Sequence, residues 1–421
     1  MAHRNQVSPL DLQYIKQVIF SLSVIDSWPH KEMNSKNPIP FTNNKFLFVL
    51  ILIVWTAELI YIRNNIGVLS FLIMGHTYIT ALLAINCLLR ITLPWTKMYR
   101  YLIVDFIHKI HLYHYKNKSD FAGKMFTKIH NISSYFSKFL HYQIYFGVIL
   151  FNVTPLVHNA RAGLFFNNST VNITADYELS IYYEIPFDIE SSVIGYVFVF
   201  IFNFFFSLIT TSIMCVDELF ISLIIIHIWG HLKILENNLI HFPRPKTFFA
   251  IDSLHIQCAF YTKDESIMVK ELLIEHIIHH RMIANFISRT TEVFGPTLCL
   301  YYVFQQISEC IVLCECSTMD TEVMGKYIVL AIVLFQQLIQ ISVVFEKMCS
   351  MGKNITDAVY GLPWECMNVE NQKLVLFFLQ NVQVPINIKA LNMVTIGVQT
   401  MAAILKTSFS YFVMLRAIAF D

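Results

Sequence analysis

Histidine is the side chain with the greatest capacity for chemistry in this sequence, and it comes in two sets. His108, His111 and His114 stand at i, i+3 and i+6, and His276, His279 and His280 at i, i+3 and i+4. Such spacing puts imidazoles on one helix face, as a zinc site requires, but zinc also needs further ligands and partners to orient them. Neither set has a companion cysteine pair. Both are read as interfacial helix faces whose rings reach towards water, and no metal or cofactor is expected. The nine cysteines are odd in number and mostly lie in apolar runs, so they form no secreted disulfide framework. Only Cys314 and Cys316, at a helix end, stand where a pairing could occur. The carboxylates Asp176, Glu178, Glu184, Asp188 and Glu190 have no paired base, and no GxSxG, HExxH, P-loop or GxGxxG motif is present. No enzyme is expected.

A membrane must position these residues. Of 421 residues, 56% are hydrophobic and 14% charged, against about 25% charged in a soluble domain. Mean hydropathy is +0.54. The 30 basic and 29 acidic residues nearly cancel, which leaves no basic face for nucleic acid. The first 40 residues are polar and hold no signal-peptide core, so the first membrane helix is expected to direct insertion. Crossing about 30 Å of hydrocarbon takes about 20 apolar residues as helix. Seven stretches come close: 46–62, 66–89, 139–157, 191–216, 293–314, 327–345 and 390–415. The run 374–388 is short and ends around Pro385, and is read as a buried helix. The expected fold is an all-α polytopic membrane protein with seven transmembrane helices.

Basic residues set the orientation. Nine lie between Arg90 and Lys138, against Asp105 and Asp120, so that loop is expected in the cytoplasm. The loop 158–190 has only Arg161 against its five acids. It also carries N-x-S/T sites at Asn167, Asn168 and Asn172, which suit a glycosylated outer loop. Sequons at Asn117, Asn131 and Asn354 fall inside and should be silent. The N-terminus is thus cytoplasmic and the C-terminus extracellular. Residues 1–45 form a cytoplasmic N-terminal segment, and 46–345 the first six transmembrane helices with a ligand pocket. Within 46–345, residues 228–292 form a cytoplasmic helical region, where Leu272, Leu273, Glu275, His276, His279, His280, Ile283 and Ile287 read as an amphipathic helix after a break at Phe242–Pro245. Residues 346–389 form a cytoplasmic anchor segment and 390–421 a pore-lining seventh helix with an extracellular tail. The fourth to sixth helices are expected to extend below the membrane and pack with 374–388 into a helical anchor bundle.

The apolar stretches are rich in aromatics and nearly free of ionisable groups, which counts against a transporter. Their outer halves would bring together Phe71, Met74 and Tyr78 on the second helix, Ile149 and Val153 on the third, Tyr196, Phe200 and Phe204 on the fourth, and Tyr327, Leu330 and Leu334 on the sixth. Such a lining suits a small apolar ligand oriented by one or two hydroxyls. The last stretch is the most polar, with Gln399, Thr400, Lys406, Thr407, Ser408, Ser410 and Tyr411, groups that need water or a partner within a membrane. An aqueous pore would supply the water, and Met414 and Ile418, one turn apart near the outer end, could close it by dewetting.

The C-terminal third carries Ala358-Val359-Tyr360, Trp364, Lys373, Gln383-Val384-Pro385, Ala390-Leu391 and the ending Lys406-Thr407-Ser408-Phe409-Ser410-Tyr411-Phe412. These residues, with Asp217-Glu218-Leu219-Phe220 and the inverted seven-helix layout, resemble the insect odorant receptor family. The texture of the chain is similar to moth and butterfly receptors of the pheromone-receptor group. The ending departs from the gustatory-receptor pattern, since Ala417 and Ile418 stand where Gln-Phe would fall, and the long insertion of the obligate co-receptor is missing. The resemblance implies a ligand-tuned subunit of a tetrameric cation channel. Its partners would be an odorant co-receptor subunit, a small volatile hydrophobic ligand and membrane lipid. Its place would be the plasma membrane of a sensory neuron dendrite. The family's gate positions would fall at Met414, Ala417 and Ile418, with Arg416 among them opposing cation entry unless the co-receptor supplies most of the pore surface. The alternatives are a gustatory-receptor-like channel and a metabotropic seven-helix chemoreceptor. Against the latter stand the inside N-terminus and the lack of DRY-like and NPxxY motifs.

Overall fold

A computed structural model describes residues 8–39, 42–69, 71–165, 177–184, 193–251, 256–316, 321–390 and 394–420. For 71–73, 248–251, 256–258, 321–326, 329, 394 and 415–420 only the backbone is described. Among the described residues eleven α-helices run in chain order: α1 Gln13–Val24, α2 Asn44–Asn65, α3 Phe71–Arg90, α4 Lys97–Asp105, α5 Asp120–Arg161, α6 Val193–Ile240, α7 Lys263–Cys316, α8 Thr321–Cys349, α9 Met351–Tyr360, α10 Val369–Val382 and α11 Val398–Phe420. Two short antiparallel pairs interrupt them, Thr247–Ile251 with Ile256–Phe260 and Lys389–Ala390 with Val394–Thr395. Periodicity did not reveal either pair.

Side-chain caps start the helices where the sequence changes character. Asn43 Oδ1 accepts from Lys45 N at 2.9 Å to open α2, and Ser119 Oγ accepts from Ala122 N at 3.1 Å to open α5. Beyond the proline break, Thr262 and Glu265 form a reciprocal capping box for α7. At 1.5 Å per residue, the 54 residues of α7 run about 80 Å, well over twice the hydrocarbon thickness. α6 has 48 residues and α5 has 42. The extension of α5 on its N-terminal side was not anticipated. Among the described residues, six helices (α2, α3, α5, α6, α7 and α8) are long and apolar enough to cross a membrane.

α6 shows how one helix serves two surroundings. In its first half Ile194, Phe198, Ile201 and Phe205 form an exposed stripe at helical spacing, while Tyr196, Val199, Asn203 and Phe206 on the opposite stripe are buried. From Ile213 to Ile228 every residue is buried, so the helix becomes the axis of a second bundle. There α1 packs on α5 and α6, α4 on α7, α9 on α6, and α10 on α7 and α9. Exposed apolar side chains on α2 and α5, among them Phe46, Ile53, Tyr142 and Phe146, continue the outer stripe. Contiguous apolar surface of this kind belongs against lipid.

The two bundles meet at a buried ion pair. Arg90, at the end of α3 and 2% exposed, reaches Glu218 Oε1 on α6 at 3.2 Å and donates to the Met214 carbonyl at 2.6 Å. Its guanidinium lies 5.4 Å from the centre of the Tyr301 ring on α7. Three helices are thereby joined through a residue that the sequence reading assigned to a basic loop.

Candidate functional site

The predicted ligand-lining residues fall into two groups. Tyr196 and Phe200 of α6 pack with Leu179, Val199, Leu156, Phe165 and Tyr177. Ring contacts run from Tyr177 to Tyr196 at 4.7 Å, to Phe200 at 6.2 Å and on to Phe204 at 6.5 Å. Tyr327, Leu330 and Leu334 of α8 pack instead with Tyr78 of α3 and with Phe304 and Ile311 of α7. Met74 is buried and Val153 half-buried, whereas Ile149 is 50% exposed on the outer side of α5. The Phe71 side chain lies outside the described residues, as do Asn167, Asn168 and Asn172.

Between the two groups runs a segment that sequence reasoning placed in a solvated loop. Residues 179–181 are buried, and three helices hold the backbone of 178–181. Asn159 of α5 exchanges two 2.9 Å bonds with the Glu178 backbone, His76 of α3 donates to the Ser180 carbonyl at 2.7 Å, and Asn203 of α6 donates to the Ile181 carbonyl at 3.1 Å. The Ser180 hydroxyl donates to Asn152 Oδ1 at 2.9 Å, and Asn152 Nδ2 donates to Ser207 Oγ at 2.7 Å. Asn152, Asn159 and Asn203 are at most 1% exposed. An amide in an apolar span must find a partner, and that rule was the signal available for Asn152 and Asn203; Asn159, just past the apolar run, carried none. Glu178 itself pairs with His158 at 2.9 Å.

A cavity of about 560 Å³ lies between α2, α3, α7 and α11, bordered by Trp55, Tyr78, Ile85, Gln306, Cys310 and Tyr411 among others. Of the predicted ligand residues it includes Tyr78 alone. Gly75, one turn earlier on α3, allows α3 and α7 to touch: a Cβ there would collide with Glu315 Oε1 and Ile311 Cγ2.

The last helix finds protein partners for part of its polar face. Thr407 donates to Gln306 Oε1 of α7 at 2.7 Å, Gln306 Nε2 donates to Ser408 Oγ at 2.9 Å, and Ser408 lies 3.3 Å from Glu309 Oε2. Glu346 of α8 accepts from Val398 N at 3.1 Å at the first turn of α11. Ser410, Tyr411 and Met414 are exposed on the surface of the chain. The Ala417 and Ile418 side chains are not among those described. The membrane stretches hold buried carboxylates: Glu58 in the first and Glu309 in the fifth are each 1% exposed, the latter not anticipated, and Glu315 just past the fifth is 3% exposed. Glu309 follows Gln305, Gln306 and Ser308 in a stretch whose average hydropathy conceals it.

The histidines are not all interfacial. His108 and His114 are exposed, but His111 is fully buried and His276, His279 and His280 nearly so. His227 and His231 of α6, which sequence reading passed over, join them. Backbone N–H groups of Tyr113 and Leu112 donate to Nδ1 of His111 and His227, which leaves each Nε2 as the donor. Both Nε2 atoms then converge on the Tyr14 hydroxyl of α1, at 2.6 and 3.1 Å. His231 donates through Nε2 to the Ile110 carbonyl at 2.6 Å and accepts from His279 at 3.0 Å. Burial first, then the nearby His114, His231 and His130, push the His111 imidazole from its ordinary 6.5 down to about 3. Among the described residues, no group of three or more His, Cys, Asp or Glu is disposed to hold a metal. Cys314 and Cys316 are not joined by a disulfide. Two residues apart on a helix, they point in different directions.

Comparison with known proteins places this architecture. A family model described as 7tm Odorant receptor matches residues 70–409. Odorant receptor 13a of Drosophila melanogaster is 24% identical over 253 residues, 56% of each chain, and the putative odorant receptor 85d of the same fly is 22% identical over 149 residues, 35% of this chain and 36% of that one. These alignments thus span about half or less of the curated relatives. The insect olfactory receptor OR5 of Machilis hrabei superposes with a TM-score of 0.75 at 11% identity, covering 96% of this chain and 97% of that one. Its complex with eugenol gives 0.72 at 12% identity, covering 97% and 99%.

Proposed function

The chain belongs to the 7tm odorant receptor family, and we propose that it binds a small volatile apolar ligand and gates a non-selective cation channel as a heteromer with a co-receptor subunit. In this reading seven helices cross the plasma membrane, α11 being the seventh, with the N-terminus in the cytoplasm. The loop 158–190 lies outside with its sequons, and the α1–α4–α9–α10 end forms the cytoplasmic anchor. The ligand sits in the outer half, among Met74, Tyr78, Val153, Tyr196, Phe200, Tyr327 and Leu334, beneath the buried segment 179–181. The complex of the OR5 relative with eugenol supports a pocket of this class. α11 lines the pore, with Ser410, Tyr411, Met414, Ala417 and Ile418 towards its outer end.

The observation that carries this reading is the polar contact between α7 and α11. Thr407 and Ser408 bond to Gln306 and Glu309, while the same helix α7 packs on the α3 and α8 residues of the ligand face. A ligand that binds one arrangement of α3, α7 and α8 better than another shifts α11 by its differential affinity. Cysteines at Gln306→Cys and Thr407→Cys would join these helices. Oxidation should abolish ligand-evoked current in cells co-expressing a co-receptor, and reduction should restore it. Unchanged current with the cross-link in place would show that α11 does not move against α7.

A further inference from the structure

We propose that the cavity between α2, α3, α7 and α11 is a second binding site, for a small uncharged apolar molecule that enters from the bilayer. None of its lining residues is charged, and its walls are mostly aliphatic side chains with the rings of Trp55, Tyr78 and Tyr411, joined by Gln306 and Cys310. Its volume of about 560 Å³ falls within the roughly 300–1,000 Å³ of small-molecule sites. The rim residues Leu59 of α2 and Ile307 of α7 are 41% and 38% exposed, beside the exposed apolar side chains of Leu52, Ile53, Ile60 and Val303, whereas Tyr411, 51% exposed, closes the side towards α11, where Lys406, Thr407 and Ser410 are exposed as well. On its α2 side the opening therefore meets hydrocarbon, away from the pore face of α11, and the molecules that reach it from there are those dissolved in the bilayer. A phospholipid is the poorer occupant, because no lysine or arginine lines the site to hold a headgroup phosphate.

The site differs from the proposed sensory pocket in both helices and side chains, with Tyr78 alone in common. It also touches the proposed gating contact. Gln306 borders the cavity and bonds to Thr407 and Ser408, and Tyr411 lies one turn further along α11. An occupant with unequal affinity for two arrangements of α7 and α11 changes their populations, even though it binds away from the sensory pocket.

The test is photolabelling of the full-length chain in lipid nanodiscs with a trifluoromethyl-phenyl-diazirine probe, with adducts mapped by peptide mass spectrometry. Adducts should concentrate in residues 306–311 and at Tyr411, and saturating limonene should suppress them. Ala81→Trp, which fills the cavity, should reduce them about tenfold. Ile307→Trp at the exposed rim should do the same without disturbing the core, so a folding defect in the first variant leaves the test intact. Lipid-facing adducts at Phe198 serve as the internal reference and should not change. Adducts at 306–311 that behave like those at Phe198 would make the cavity ordinary lipid surface, and competition by added phospholipid rather than limonene would make it a lipid site. Either result overturns the proposal. Because the readout is the position of adducts, it is independent of whether the chain conducts or where its odorant binds.

Discussion

Removing the carboxylate of Glu218 should damage the fold more than any surface change. Arg90 and Glu218 are 2% and 4% exposed, and Glu218→Leu would leave a guanidinium with little water, one carbonyl bond to Met214, and the Tyr301 ring and Asp217 nearby. A buried charge stripped of its partner costs about 3–5 kcal/mol, and Arg90→Met should cost a similar amount for the converse reason. The double variant Arg90→Met/Glu218→Leu removes both charges together and should lie within about 1–2 kcal/mol of the native chain, since replacing a whole buried pair with apolar side chains is often neutral. Glu218→Gln keeps an acceptor and should fall between, near 1.5–3 kcal/mol, as for a bond to a charged group. Thermal unfolding of detergent-solubilised protein, followed by the loss of the monodisperse peak on size exclusion, would rank the four variants. Single-variant losses that simply add in the double variant would refute the idea that this pair joins α3 to α6 as a unit.

Other perturbations probe other levels of the account. Asn152→Leu should cost about 1–3 kcal/mol, because the Ser180 and Ser207 hydroxyls lose a buried partner, and should raise the ligand concentration for half-maximal current; an unchanged dose–response would separate segment 179–181 from the ligand. With the His111 imidazole held at about 3 against an ordinary 6.5, the unfolded chain takes up a proton that the folded chain refuses as pH falls below about 6.5. Stability should drop by up to about 1.4 kcal/mol per pH unit from there towards pH 3, and His111→Gln should flatten that part of a melting-temperature profile. Glycosylation scanning should find carbohydrate at Asn167, Asn168 or Asn172 and none at Asn354; the opposite pattern would invert the topology.

The membrane-crossing helices were legible because a run of about 20 consecutive apolar residues rarely forms anything but a membrane span. Their extensions were less so. α7 continues from Lys263 through a charged, amphipathic stretch that resembles a separate helix, and α5 begins at Asp120 among residues that composition assigns to a loop. Contacts between distant segments were not legible at all. Tyr14 meets His111 across 97 positions and His227 across 213, and no local pattern marks such partners. The descent of residues 179–181 into the bundle was concealed for a related reason. A carboxylate-rich loop looks solvated as a whole, and only the amides at positions 152 and 203, set in apolar spans, hinted that something must reach them. Ile149 shows the limit of helical spacing, which groups residues on a face without saying which way that face turns.

The most direct measurement of the central claim is whole-cell current in cells expressing this chain with and without an insect odorant co-receptor, during exposure to volatile alcohols, aldehydes, acetates and terpenes, with G-protein signalling blocked. A ligand-gated, fast cation current confined to the co-expressing cells is the predicted result. A response that disappears when G-protein signalling is blocked, or no response to any volatile despite confirmed surface expression of both subunits, would contradict it.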